Sequence, residues 1–269
     1  MSFLTTPDGL RLRYCERGAG PDPIVLVHGW KGSHRLWDKV TVELAERHRV
    51  ISYDLRGMGE SDKPNCRYDF DEMAADLGFL MRELAVADAT LLGWSMGCTV
   101  ALSYMAEDGR GVARVGLLNG PLRLTRTADF PHAMTEEQLE GYLRDLARGW
   151  PATEYQFQRD TLVEPSDPYV DLLYGVALQT PLDVALAVVR AQAQLDMRDT
   201  LAALEVPVLA IYADRDTYYP TSLATYIAEH ARDGQQVVLT ESAHATPLEE
   251  PENLAAALET FIASRPARR

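Results

Sequence analysis

The sequence predicts an α/β fold in which a mostly parallel central sheet is flanked by helices and carries an inserted helical cap. Short runs rich in aliphatic residues alternate with helical patterns along most of the 269 residues. These runs lack polar alternation, as expected for strands that are buried on both faces of a parallel sheet. The alternation stops between Pro121 and Leu204, where helical patterns dominate, and this interruption predicts the insertion.

Seven apolar runs are the predicted strands of this sheet. Because strands that alternate with helices usually pair in parallel, we expect one covered sheet in which the first strand could run antiparallel. The strand runs begin at Leu10, Ile24, Val50, Thr90, Val115, Val208 and Val237. The helical patterns of the core cover residues 34–47, 70–85, 96–107, 221–232 and 251–263.

The insertion is assigned to residues 121–204, and the core to residues 1–120 and 205–269. Thr135 and Gln138 form a capping-box pattern, which predicts the start of a cap helix. Because long insertions in compact domains are usually functional, we interpret these helices as a roof over one end of the sheet. Helices that only pack on the periphery are the alternative. The apolar face predicted for the first cap helix consists of Leu139, Tyr142, Leu143, Leu146 and Trp150.

The bulk composition indicates an ordinary globular protein. Hydrophobic residues make up 46% and charged residues 25% of the chain, which are the proportions of a typical soluble domain. The formal net charge of −14 opposes binding to nucleic-acid phosphates and to anionic membrane surfaces. We therefore expect neither nucleic acid nor a membrane as a partner.

The cysteines and the first residues of the chain predict a cytoplasmic protein. Cys15, Cys66 and Cys98 are an odd number without CxxC spacing, which indicates reduced thiols and neither a disulfide framework nor a zinc site. The chain does not start with a basic region followed by an apolar core, and no stretch is long enough to span a bilayer. No metal and no organic cofactor is expected.

The strongest functional signal is the G-x-S-x-G sequence from Gly93 to Gly97, which lies between a predicted strand and a predicted helix. On such a sharp turn the serine adopts a strained backbone geometry and is exposed, while the glycines let strand and helix approach each other. This context favours Ser95 as a nucleophile over a structural turn serine. The free N–H of Met96, at the start of the helix, can point at charge that develops on a substrate oxygen.

A serine nucleophile needs a base, and the base needs an acid that orients it. His244 follows the last predicted strand, on a loop at the same sheet edge as Ser95, and the chain order serine, acid, histidine fits this assignment. Asp214 and Asp216 both follow the strand that begins at Val208. We prefer Asp216 because it lies further into the loop and can bend toward the histidine. Asp214 is the alternative.

The segment from Val27 to Trp30 predicts the second half of an oxyanion hole. His28 and Gly29 come directly after a predicted strand, and a glycine there allows a tight turn. The turn would direct the N–H of Trp30 at the same substrate oxygen as the N–H of Met96. Two such donors are the usual number in an oxyanion hole.

Together these residues resemble the α/β-hydrolase superfamily. The chain contains, in the order of that family, HGW, DLRGMGES from Asp54, GWSMG, YADRDTYYP and a terminal SAHATPLEEPE, and the likeness covers nearly the whole chain apart from the insertion. The resemblance implies a serine hydrolase. The HGW and GWS segments are similar to carboxylesterases such as the pimeloyl carrier-protein methyl ester esterases, and to cofactor-free haloperoxidases or perhydrolases. The resemblance assigns a role in loop support to Arg56, Gly57, Gly59 and Ser61.

Two positions refine this resemblance. Haloalkane dehalogenases and epoxide hydrolases are similar proteins with an aspartate nucleophile, so the serine at position 95 disfavours their chemistry. Many relatives have a further glycine where this chain has Cys98. We expect this thiol to fill space in the core, because buried thiols are usually inert.

The resemblance implies that the substrate is an ester, a thioester or a lactone. Aromatic residues beside the catalytic groups and in the cap suggest a pocket for an apolar acyl or aromatic substrate. The main hypothesis is therefore an esterase that acts on a small-molecule ester, as a monomer or a homodimer. A pathway-specific thioesterase, lactonase or methyl esterase is the enzymatic alternative, and a ligand-binding receptor on the same fold is the non-enzymatic one. The residues assigned to the substrate pocket are Trp30, Trp94, Trp150 and Tyr218.

Overall fold

A computed structural model describes residues 2–65 and 67–264, so Met1, Cys66 and the last five residues lie outside the described parts of the chain. The described residues form one sheet of eight strands. In chain order the strands are β1 (Ser2–Thr5), β2 (Arg11–Arg17), β3 (Ile24–Val27), β4 (Val50–Tyr53), β5 (Ala89–Trp94), β6 (Val112–Leu118), β7 (Val208–Ala213) and β8 (Gly234–Leu239).

The sheet has the strand order β1-β2-β4-β3-β5-β6-β7-β8. All pairs from β4 through β8 are parallel, whereas β2 runs antiparallel to both β1 and β4. The predicted fold class, a mostly parallel sheet flanked by helices, is confirmed, and the first predicted strand is antiparallel. The additional strand β1 was not predicted, because its four residues are mostly exposed and carry no apolar run.

The helices follow the predicted positions with shorter ends. The predicted helix at residues 34–47 consists of a 3₁₀ turn, His34–Trp37, followed by α1. The core helices are α1 (Asp38–Leu44), α2 (Phe70–Glu83), α3 (Met96–Glu107), α9 (Thr221–His230), α10 (Thr246–Glu249) and α11 (Pro251–Ser264). Between β6 and β7 lie α4 (Glu136–Gly149), α5 (Ala152–Asp160), α6 (Asp167–Ala177), α7 (Leu182–Gln192) and α8 (Arg198–Ala203).

The central strands are apolar at every position because helices cover both faces of the sheet. All four residues of β3 are fully buried. Side chains alternate across a strand, so Ile24 and Leu26 pack in a cluster with α11, whereas Val25 and Val27 pack in another cluster with α2 and α3. The missing polar alternation in the sequence therefore reflects burial on two sides.

The chain between β6 and β7 is helical, whereas the core alternates strands and helices. Within the described residues it contains only two isolated β-bridges and no named strand. The capping box at the start of α4 is present as predicted, with reciprocal hydrogen bonds between Thr135 and Gln138. The limits of 121–204 for a separate cap remain a prediction.

No single helix within residues 2–65 and 67–264 has the length and apolar composition needed to cross a membrane. Helices α6 and α7 meet that criterion only as a pair, and they are bent by 86° at the break between them.

The turn from β5 to α3 depends on glycines where backbone segments touch. A Cβ atom on Gly97 would overlap the carbonyl oxygen of Val27 at the end of β3, and one on Gly93 would overlap the carbonyl of Gly97. Neither backbone can move without displacing a central strand. These two positions therefore tolerate no side chain.

We expect Gly97→Ala to lower the free energy of unfolding by about 1–3 kcal/mol, the usual cost of an overfilled core. Gly175→Ala is the matched control, because Gly175 lies inside α6 with no neighbouring atom within 4 Å of an added Cβ. That substitution should raise stability by about 0.5–1 kcal/mol, as alanine usually does in a helix. Urea unfolding of both variants measures this, and equal effects would contradict the packing argument.

Candidate active site

Ser95 lies on the sharp turn between β5 and α3. Its backbone angles, φ 55° and ψ −123°, belong to the positive-φ region that residues other than glycine rarely adopt. Such strain persists only where the surroundings enforce it, and it is common at functional sites. The surroundings here are the glycine contacts on either side of the turn, and a Cβ atom on Gly29 would lie 3.0 Å from that of Ser95.

A chain of two hydrogen bonds connects Ser95 to a carboxylate. Its hydroxyl oxygen lies 3.0 Å from Nε2 of His244, and Nδ1 of the same ring lies 2.8 Å from Oδ2 of Asp216. His244 is only 8% exposed, and the side chain of Asp216 is fully buried. The three residues come from three different loops at the carboxyl edge of the sheet. The structure thus places the predicted serine, histidine and aspartate in one line.

The loop after β7 determines which aspartate reaches the histidine. The second carboxylate oxygen of Asp216 accepts hydrogen bonds from the backbone N–H groups of Tyr218 and Tyr219, at 2.7 and 3.3 Å. These bonds turn the carboxylate inward and satisfy it. Asp214 instead points to solvent, and its backbone N–H donates to Leu239. The structure therefore places Asp216, and not Asp214, beside His244.

The loop that carries His244 is held by Asn119, which the sequence did not single out, and by Trp94. The Nδ2 group of Asn119 donates to Thr246 at 2.8 Å and reaches the carbonyl of Ala243 at 3.3 Å, while its Oδ1 accepts from the N–H of Ala213. One buried amide therefore links the end of β6, the end of β7 and the histidine loop. The indole of Trp94 adds a 2.9 Å hydrogen bond to the carbonyl of His244.

The backbone N–H groups of Met96 and Trp30 are the donors that the sequence predicts for an oxyanion. Met96 is the first residue of α3, where an N–H has no partner within the helix. Trp30 lies on the turn after β3 and follows Gly29, which packs against Ser95. Within residues 2–65 and 67–264, neither N–H donates a hydrogen bond to a protein acceptor. The oxyanion roles of Trp30 and Met96 remain a prediction.

A cavity of about 300 Å³ opens onto Ser95 and His244. Its walls come from the core and from the helices between β6 and β7, so that segment forms one side of the candidate site. The walls include Trp30, Trp94 and Tyr218, as predicted. The remaining walls are mainly apolar and aromatic, and those that lie between β6 and β7 are Leu124, Leu139, Tyr142, Phe157, Leu173 and Val189.

The prediction that Trp150 lines the pocket is wrong. Helix α4 buries Leu139, Leu143 and Leu146 on one face, as the periodicity predicts. The helix ends at Gly149, however, and Trp150 already has extended backbone angles, φ −58° and ψ 135°. Its side chain therefore leaves the predicted face, and Trp150 is absent from the cavity walls among the described residues.

Charged and polar groups in the cavity wall have shifted pKa values. Burial lowers the pKa of Lys31 to about 8, although the carboxylate of Glu154 opposes the shift. Burial also raises the pKa values of Tyr142, Tyr218 and Tyr219, so these phenols stay protonated. The hydroxyl of Tyr142 is buried and has no hydrogen-bond partner in the described part of the chain.

Cys98 lies behind the turn of Ser95 and does not line the cavity. Its side chain is 1% exposed, and it packs so closely on Gly120 that a Cβ there would overlap the sulfur. Burial raises the pKa of this thiol, which disfavours the reactive thiolate. Across residues 2–65 and 67–264, no group of three or more His, Cys, Asp or Glu side chains is arranged to hold a metal ion.

Comparison with known proteins places this geometry in a family. Residues 22–251 match the family model described as the alpha/beta hydrolase fold. The chain belongs to the α/β-hydrolase family. Ser95, Asp216 and His244 occur along the chain in the order serine, acid, histidine.

Relatives in this family carry different names. A Synechocystis protein, named as a candidate non-heme chloroperoxidase, is 32% identical over 86% of this chain and 87% of its own length. A pimeloyl-[acyl-carrier protein] methyl ester esterase of Neisseria meningitidis is 29% identical, with coverage of 93% and 97%. The solved structure of an esterase from Exiguobacterium antarcticum superposes with a TM-score of 0.92 at 26% identity, covering 97% of this chain and 99% of that one. Proteins named as esterases are therefore among the relatives of this α/β-hydrolase.

Proposed function

We propose that this chain is a serine hydrolase that cleaves carboxylic esters of small to medium apolar substrates through an acyl-enzyme intermediate. The observation that carries the proposal is the hydrogen-bonded line from Ser95 through His244 to Asp216, with 3.0 and 2.8 Å between the heavy atoms. A nucleophile, a base and an acid in this geometry are the parts that acyl transfer needs. The esterase names among relatives support the same chemistry.

In the first half-reaction, Ser95 Oγ attacks the carbonyl carbon of the ester while Nε2 of His244 takes the hydroxyl proton. The carboxylate of Asp216 stabilises the imidazolium that forms and keeps the ring in the correct tautomer. The N–H groups of Trp30 and Met96 donate to the oxyanion of the tetrahedral intermediate. The alcohol then leaves with the proton from His244, and the acyl group stays on the serine.

In the second half-reaction, water replaces the alcohol. His244 removes a proton from the water, the hydroxide oxygen attacks the acyl carbon, and the same two N–H groups bind the oxyanion again. Collapse of this intermediate returns the proton to Ser95 Oγ and releases a carboxylic acid. The net reaction is ester plus water to acid plus alcohol.

The cavity supports an uncharged, apolar acyl group as substrate. Its volume of about 300 Å³ lies at the lower end of the range for small-molecule sites. Lys31 and Glu154, the charged pair in this region, neutralise each other. These features favour an aliphatic or aromatic ester over an anionic one.

The proposal includes three further points on which the chemistry does not depend. Residues 121–204 act as a cap domain, supported by the contribution of α4 to α7 to the cavity wall. The substrate is a small molecule rather than a nucleic acid or a membrane lipid surface, in keeping with a net charge of −14. The location is cytoplasmic, consistent with Cys15 and Cys98 as free thiols.

We expect Ser95→Ala to lower kcat for p-nitrophenyl esters by several orders of magnitude, on the order of 10⁶, because it removes only the nucleophilic oxygen. The melting temperature should hardly change, since the turn and its glycines remain. Steady-state kinetics and thermal unfolding measure the two quantities. Turnover close to that of the wild type, in a preparation free of other esterases, would refute the proposed nucleophile.

We expect Asp216→Asn to lower kcat by about 10⁴, because an amide opposite Nδ1 favours the wrong histidine tautomer. Asp214→Asn is the matched control on the same loop, and its effect should be small because this side chain points to solvent. Esterase kinetics of both variants at neutral pH decide the ranking. The opposite order would move the acid to Asp214, and equal mild effects would place it elsewhere.

We expect the wall residue Leu139 to influence which acyl chain fits, and Trp150 to have no such effect. Leu139→Ala should raise kcat/KM for long-chain relative to short-chain p-nitrophenyl esters by about tenfold, which corresponds to ~1.4 kcal/mol of altered transition-state binding. Trp150→Ala, directly after the same helix and outside the wall, should leave this ratio unchanged. The ratio is independent of the folded fraction, so a loss of stability does not affect it. A change with Trp150→Ala alone would contradict the cavity assignment.

A further inference from the structure

Lys31 and Glu154 form an ion pair that the proposed hydrolysis does not use. Lys31 follows Trp30 directly on the turn after β3, and Glu154 lies in α5. Both side chains are fully buried. Gln158, one turn further along α5, donates a 2.6 Å hydrogen bond to the second carboxylate oxygen of Glu154. Because the desolvation of two charges offsets much of their attraction, such a pair contributes little stability and is better explained by what it positions.

Aromatic rings fix the direction of the Lys31 side chain. Its Nζ lies 3.7 Å from the ring centroid of Trp30 and 4.5 Å from that of Phe157, which is also in α5. A cation over a ring face is attracted most strongly where water is excluded. The ammonium is thus held between the turn that carries Trp30 and the helix that carries Glu154.

A second contact ties the same turn to the insertion. The indole N–H of Trp30 donates a 3.0 Å hydrogen bond to the carbonyl of Ala185 in α7. Lys31 itself has a φ of 57°, a left-handed conformation that is unfavourable for a residue with a Cβ atom. The turn therefore needs external contacts to keep this conformation, and two helices of the insertion supply them.

We propose that the Lys31–Glu154 pair is a clamp through which helix α5 holds the N–H of Trp30 in the position needed to bind the oxyanion. Lys31 and Glu154 are then positioning residues, and the insertion contributes to the rate of the chemical step as well as to substrate choice. The inference rests on the proposed function, because it uses the oxyanion role of Trp30. It goes further in giving the insertion a part in transition-state stabilisation.

Three variants test the clamp: Lys31→Met, Glu154→Gln and the double variant. Each is measured for kcat and KM with a p-nitrophenyl ester and for melting temperature. We expect kcat to fall about 10- to 100-fold in all three, less than the loss of a whole oxyanion donor, with KM changed only a few-fold. Each single variant should also melt at a lower temperature, because it leaves one buried charge unpaired. The double variant buries no charge, so its melting temperature should recover while its kcat stays low.

The matched control is Asp76→Asn, which changes a carboxylate to an amide in another buried ion pair. Asp76 binds Arg56 at 2.6 and 2.7 Å, both side chains are 4% exposed, and neither lines the cavity. This variant should lose stability and keep its kcat. It shows whether lost stability alone can lower the rate.

Recovery of both kcat and melting temperature in the double variant would overturn the clamp, because the pair would then be merely structural. An unchanged kcat in Glu154→Gln would also overturn it, and this variant decides alone if Lys31→Met does not fold. Failure of the proposed function gives a different result: the wild-type protein would show no ester turnover that depends on Ser95. A wild type that loses turnover with Ser95→Ala, but keeps it with Glu154→Gln, refutes the clamp and leaves the function intact.

Discussion

The close approach of backbone at the turn between β5 and α3 is the constraint on which the rest of the candidate site depends. Gly93 and Gly97 let the strand, the helix and the end of β3 touch without intervening side chains. This contact forces Ser95 into a positive φ. The same contact brings the turn of Trp30 beside the serine, so one packing arrangement fixes the proposed nucleophile and both proposed oxyanion donors.

Backbone hydrogen bonds beyond the strand ends hold the neighbouring loops in fixed positions relative to the turn of Ser95. The N–H of Ser95 donates to Leu118 at 2.8 Å, and the N–H of Asn119 donates to Ile211 at 3.0 Å. Parallel strands end at one edge of the sheet, and these additional bonds hold the first loop residues in register. The histidine and its aspartate can therefore meet the serine although 149 and 28 positions separate the hydrogen-bonded partners. The helices of the insertion close the other side of the cavity.

Local patterns predicted most of the fold and the serine, histidine and aspartate, because each depends on a short segment. Apolar runs identify buried strands, and a G-x-S-x-G turn has a meaning only between a strand and a helix. Contacts between distant segments carry no such signal. The Lys31–Glu154 pair joins residues 123 positions apart, and Asn119 acts through a buried network. The predicted pocket role of Trp150 was wrong, because periodicity does not reveal that α4 ends at the preceding residue.

Ser95 is the residue that we propose carries the acyl group during turnover. Mixing the protein with a p-nitrophenyl ester, quenching in acid within milliseconds and mapping peptides by mass spectrometry tests this proposal most directly. We expect the mass of one acyl group on the peptide that contains Ser95, together with a burst of p-nitrophenolate that approaches one equivalent per chain when deacylation is the slower step. Turnover with the acyl group on another residue, or turnover unaffected by the absence of Ser95, would contradict the account.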